Sequence, residues 1–191
     1  MLQPKTKSLT PKGGNDRVYT PQPLANKIVE YFSFRYPMSG NFLEPCLGQG
    51  AFKTAIETSL FPDRVLSLNW CEIDKGVDFL TRDFSSKVFR YDWIISNFPF
   101  SKYREFLKKS MAISENVITL SPVNHVLGMK ARRRDIKEAG FFVREVCELD
   151  TPKEFPQSGF QWAAIYLSRN NGLCEFTNLD YSCRNFLPTK K

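Results

Sequence analysis

Long apolar runs are missing from this chain. No stretch approaches the roughly 20 residues needed to span a bilayer. The polar first fifteen residues, with Lys5, Lys7 and Lys12, contain no apolar signal core. These absences predict a soluble, intracellular protein of cytoplasmic location, with no membrane partner. Cysteine is sparse and unpaired in pattern. There are five, none in a C-x-x-C spacing. An odd count without that spacing argues against a disulfide framework or a zinc site and fits a reducing compartment, so no metal is expected. Histidine occurs once, at His125. Imidazole chemistry could rest only there, and a single histidine beside a strand end is more often structural. There is no G-x-x-x-x-G-K-S/T phosphate loop, and the third glycine of a dinucleotide-binding loop is absent.

What remains is an ordinary globular composition. The 191 residues suit one domain, and 42% are hydrophobic. Aromatics make up 14%, including 17 Phe, enough for a well-packed core. Lys and Arg number 27 against 20 Asp and Glu, a net charge of +7. That excess favours a polyanionic partner, though many basic proteins bind none.

Residues 1–16, with three Lys, two Pro and Gly13-Gly14, read as a flexible tail. Residues 17–170 form the domain, and 171–191, which show no clear period, read as a second tail. Within the domain, Leu24, Ile28, Val29 and Phe32 mark an amphipathic helix over 21–36, with Thr20 as its cap and Pro21 in its first turn. Strands are expected at 41–44, 64–72, 91–96, 117–120, 141–149 and 163–167. Helices are expected at 51–60, 102–113 and 130–139. This alternation predicts an α/β fold with a mostly parallel sheet. Ligands of such sheets bind at the carboxyl ends of the strands. The residues that could carry chemistry fall there: Glu44, Glu72, Asp83 and Asn97.

Glu44-Pro45-Cys46-Leu47-Gly48-Gln49-Gly50 follows a strand and opens a helix. Gly48 and Gly50 let a ligand approach the backbone, and the helix start offers free N–H groups. The acid before the turn disfavours a pyrophosphate and suits a cationic or hydroxyl-rich ligand. Glu72 lies 22 residues beyond Gly50, where an acid can accept both hydroxyls of a ribose. Asp83-Phe84 could take an adenine amino group beside an aromatic face. Each acid alone could equally be a solvated loop residue.

In this order the motifs resemble the class I S-adenosylmethionine-dependent methyltransferases, specifically the adenine-N6 DNA group, over about residues 19–167. The resemblance implies a Rossmann-like fold, a seven-stranded mostly parallel sheet flanked by helices. It implies S-adenosylmethionine as cofactor, held by Tyr19, Thr20, Pro21, Glu44, Pro45, Gly48, Gly50, Glu72, Asp83 and Phe84. Asp92-Trp93-Ile94-Ile95-Ser96-Asn97-Phe98-Pro99-Phe100 resembles the catalytic motif (D/N/S)-P-P-(Y/F), which makes Asn97, Phe98, Pro99 and Phe100 the catalytic loop. Methylating an exocyclic amine needs acceptors around its N–H groups and alignment with the methyl carbon. Asn97 Oδ1 and the Phe98 carbonyl are the acceptors. Pro99 keeps the preceding residue extended, and Phe100 stacks on the base.

Phe98 departs from the usual Pro. The ribosomal-RNA adenine dimethylases carry Asn-(apolar)-Pro-(Tyr/Phe), so RNA adenine or a protein glutamine amide are alternative substrates to DNA. A catalytically inactive subunit is another reading. Pro45-Cys46 superficially matches a cytosine-C5 nucleophile but lies too early, inside the cofactor turn. Arg104, Lys108, Lys109, Lys130, Arg132, Arg133, Arg134 and Lys137 are candidate phosphate contacts or a solvated helix face. Residues 157–162 could face the substrate or simply start a core strand. With no obvious target-recognition domain, recognition would come from a protein partner or self-association.

Overall fold

The computed structural model describes residues 18–84, 90–157 and 159–179. The proposed tail over 1–16 lies outside them. A seven-stranded sheet runs β1 (Gly40–Glu44), β2 (Val65–Trp70), β3 (Tyr91–Ser96), β4 (Ser114–Pro122), β5 (Phe142–Leu149), β6 (Trp162–Ser168) and β7 (Glu175–Leu179) along the chain. In space the order is β2-β1-β3-β4-β6-β5-β7. Strand β6 runs antiparallel to its neighbours, and the other pairings are parallel. The expected α/β sheet is therefore present, seven-stranded and mostly parallel.

Helices α1 (Gln22–Arg35) and α2 (Ala51–Ser59) cover one face; α3 (Tyr103–Ile113) and α4 (Lys130–Glu138) cover the other. The central strands are buried on both sides, which explains their continuous apolar runs. In β3, Trp93 and Ile95 pack toward α1 while Ile94 packs toward α3. Helix α1 buries the expected stripe of Leu24, Ile28, Val29 and Phe32. Its N-cap is Pro21, which makes no side-chain cap bond. Thr20 does not cap it, because its hydroxyl is engaged elsewhere. Among the described residues, no helix is long and apolar enough to cross a membrane.

Sequence periodicity shows no strand beyond Asn170, yet β7 pairs in parallel with β5. Its inner face carries the half-buried Thr177 beside the buried Leu179. Glu145 on β5 is fully buried, and its carboxylate accepts four hydrogen bonds. Tyr31 Oη lies at 2.5 Å, Thr177 Oγ1 of β7 at 2.6 Å, Tyr36 Oη at 2.7 Å and Arg35 Nε at 3.1 Å. Burial, and then the bonds to Glu145, hold both phenols well above the ordinary tyrosine value. The strand docks through this cluster and through Leu179 alone of its apolar residues, so no hydrophobic alternation marks it.

Removing that carboxylate strands several half-buried donors. Glu145→Ala is expected to lower unfolding free energy by about 3 kcal/mol. Urea denaturation checks this, and a loss under about 1 kcal/mol would show that water replaces the acceptor.

Candidate active site

From β1 the chain passes through α2 to β2 on one side, then returns to place β3 on the other side of β1. This reversal opens a crevice at the carboxyl ends of β1 and β3. A cavity of about 840 Å³ lies there, within the usual range for small-ligand sites. Glu44, Pro45, Gly48, Glu72, Tyr19, Thr20 and Asn97 to Phe100 all line it. Most of the residues singled out from the sequence thus converge.

Glu44 ends β1 with only 2% of its surface exposed. Its Oε2 accepts the Lys53 N–H, in the first turn of α2, at 2.8 Å. Burial outweighs that bond and pushes the carboxyl up to about 8. A buried acid of this kind is poised for a cationic ligand, which would restore the charged form. Glu72 follows β2. Its Oε2 accepts the Gly48 N–H at 2.6 Å, and Oε1 accepts the Asp74 N–H at 3.3 Å. The second lone pair on each oxygen leaves acceptor capacity for ligand hydroxyls. Gly48 has φ of 50°, and a Cβ there would lie 3.1 Å from the Tyr19 ring. Gly50, at φ 85°, forms the turn into α2 without lining the cavity, and Pro21 stands outside it as the start of α1.

Asp83 and Phe84 are not on the cavity wall, whereas Asp78 and Phe79 are. The dipeptide Asp-Phe occurs twice, five residues apart. A tight turn pairs Glu72 with Val77 and carries the chain straight back to the crevice, so the first copy arrives there. Phe79 is buried, and Phe84 packs behind it with ring centroids 5.7 Å apart. Distance from the strand end was the signal that separates the two copies.

The loop after β3 is held by its aromatic rings. Phe98 is 1% exposed, with its ring against Tyr103 at 5.6 Å and Phe106 at 5.8 Å. It anchors the loop from beneath. Pro99 is extended, with ψ of 130°. The Phe100 ring meets His125 edge-on at 5.5 Å and Trp162 at 5.5 Å. His125 lies behind Phe100, off the cavity wall, and burial followed by the charge of Arg132 lowers its pKa. This is a packing role. Burial also pushes the Cys46 thiol well above its ordinary value, which disfavours the thiolate a cytosine-C5 nucleophile requires.

Many of the candidate phosphate contacts have partners inside the protein. Arg104 holds Asp135 through two bonds, of 2.5 and 2.9 Å. Lys109 Nζ donates to the carbonyls of Leu80 and Arg82 at 2.8 and 2.7 Å, which fixes the turn beside Phe79. Arg132 and Arg133 donate to the carbonyls of His125 and Leu127. Lys102, not singled out in the sequence, lines the cavity, is exposed and has no side-chain partner among the described residues. Residues 157–162 divide: Trp162 is a buried strand start, whereas Phe160 is 53% exposed. Among the described residues, no His, Cys, Asp and Glu group could hold a metal ion.

No protein-family model and no curated protein matches the chain. Solved structures do. A type I restriction-modification methyltransferase subunit from Streptococcus thermophilus superposes with a TM-score of 0.63 at 17% identity, over 84% of this chain and 47% of that one. A Listeria monocytogenes protein assigned to the class I S-adenosylmethionine-dependent methyltransferases gives 0.60 at 14% identity, over 86% and 66%. The 23S rRNA methyltransferase ErmE gives 0.54 at 14% identity, over 75% and 68%. The chain spans about half the length of the streptococcal subunit. With the strand order and the crevice at its reversal, these likenesses establish a Rossmann-like α/β fold, the fold that those methyltransferase structures share.

Proposed function

We propose that this chain binds S-adenosylmethionine and methylates the N6 amino group of adenine in DNA. The observation that carries the proposal is the convergence on one cavity of two acidic strand ends, Glu44 and Glu72, with the loop Asn97 to Phe100. The cavity fits the cofactor chemically. Glu44 suits its cationic end, Glu72 its ribose hydroxyls, and Asp78 with Phe79 its adenine. Once bound, the cofactor supplies a methyl group made electrophilic by a sulfonium.

The chain's own residues then act on the target amine. Asn97 Oδ1 and the Phe98 carbonyl accept its two N–H groups and align the nitrogen. Phe100, braced by His125 and Trp162, stacks on the extruded base. The departure at Phe98 falls on a side chain buried as an anchor, while the acceptor is main chain, which favours a working enzyme over an inactive subunit. RNA adenine is the second reading, because an rRNA methyltransferase shares the fold. A subunit role, with a partner or second copy supplying target recognition, fits the resemblance to a restriction-modification subunit.

Three outcomes are expected. In transfer of labelled methyl to DNA, RNA and protein pools, Asn97→Ala lowers turnover roughly 100-fold while titration shows unchanged cofactor affinity. Full activity in this variant excludes Asn97 as an acceptor. Cofactor affinity should also depend on pH through Glu44. The carboxyl of the free protein gains its charge only near pH 8. A cationic ligand therefore binds less well as pH falls below 8, by up to about tenfold per unit. Calorimetric titrations between pH 6 and 8 should show this fall in the wild type but not in Glu44→Gln. An equal fall in both places the cationic end elsewhere. Finally, Lys102→Gln should reduce the slope of log affinity for DNA against log salt by about one. An unchanged slope removes Lys102 from the phosphate contacts.

A further inference from the structure

The Asn97 carboxamide is gripped from one side. Its Nδ2 lies 2.9 Å from the Val18 carbonyl oxygen and 3.3 Å from Thr20 Oγ1. A backbone carbonyl only accepts. The NH₂ end of the side chain must therefore face residues 18–20. The flipped amide would set Oδ1 against the Val18 oxygen and lose that bond, while the Thr20 hydroxyl, which can also donate, would still hold the side chain. With Nδ2 committed, Oδ1 is the end left for the cavity that Asn97 lines.

Residues 18–22 are themselves tied down at other points. The Tyr19 ring packs over Gly48. Gln22 Nε2 donates to the Ala51 carbonyl at 2.9 Å and to Asn26 Oδ1 at 2.7 Å. The segment thus bridges the glycine turn after β1 and the loop after β3. Thr20 precedes Pro21, the N-cap of α1, and its hydroxyl faces Asn97 instead of a helix end. A β-branched side chain holds its hydroxyl in few rotamers.

We propose that Thr20 is a positioning residue: with the Val18 carbonyl it sets the Asn97 amide so that Oδ1 meets the target amine. This rests on the proposed acceptor role of Asn97. It changes the expectation that Thr20 serves only as cofactor lining. The clamp also explains how an asparagine, whose two ends are nearly equal in shape, presents only an acceptor to the substrate.

The test compares Thr20→Val, which keeps the shape and loses the hydroxyl, with Thr20→Ser, which keeps the hydroxyl. In the full chain without ligand, the side-chain ¹⁵N–H₂ signals of Asn97 should be well separated and slow to exchange with solvent. The same is expected in Thr20→Ser, whereas in Thr20→Val exchange should be at least roughly threefold faster, given the loss of one of two bonds. Turnover should fall roughly tenfold in Thr20→Val with cofactor KM within about twofold, and return in Thr20→Ser. Unchanged Asn97 signals in Thr20→Val overturn the clamp. So does a rise in cofactor KM that accounts for the whole loss, or a failure of serine to rescue. If the wild type transfers methyl to no pool, the proposed function fails, and the Asn97 signals alone still decide the clamp.

Discussion

Strands β1 and β3 lie side by side and parallel, with Phe42 beside Trp93 and Leu43 beside Ile94. At the same edge of the sheet, β1 ends with Glu44 and Asn97 directly follows β3. Everything at the site depends on that adjacency. The reversal of strand order around β1 leaves no helix over this edge, so a crevice forms where the strands stop. The apolar runs that bury β1 and β3 on both faces fix the two ends rigidly. The acid and the amide can then be placed without flexible loops of their own.

The two halves of the crevice use polarity differently. On the β1 side, burial raises the Glu44 carboxyl to about 8, and a glycine turn is stitched to Glu72 through the Gly48 N–H. On the β3 side the chemistry is neutral. An amide is held by the Val18 carbonyl, which only accepts, and by the Thr20 hydroxyl, and rings below and behind hold the loop: Phe98 on Tyr103 and Phe106, Phe100 on His125 and Trp162. An exocyclic amine has protons to give up rather than a charge to match. A wall of acceptors backed by aromatics suits it better than a charged pair.

Much of this was legible in the sequence because it rests on local pattern. The buried runs of β3 and β4, the stripe of α1, and the order of Glu44, the glycine turn, Glu72 and Asn97 gave the fold and most of the cavity wall. The rest depends on where the chain turns. Of two identical Asp-Phe pairs, only distance from the strand end favours the first, and the turn between Glu72 and Val77 is what brings it to the crevice. Strand β7 carries Thr177 inward to a buried carboxylate, so it lacks an apolar period. Arg104, Lys109, Arg132 and Arg133 look like phosphate contacts in one dimension, but in three their heads meet Asp135 or main-chain carbonyls. Thr20 reads as a helix cap until the helix is seen to begin at Pro21 without it.

Transfer of a methyl group to adenine N6 in this crevice is the proposed reaction. The most direct measurement is mass spectrometry of nucleosides from unmethylated DNA incubated with the protein and isotopically labelled S-adenosylmethionine. Labelled N6-methyl-2′-deoxyadenosine is expected, with no labelled 5-methyl-2′-deoxycytidine. Label found in methylated cytosine, or in protein with none in nucleic acid, would contradict it.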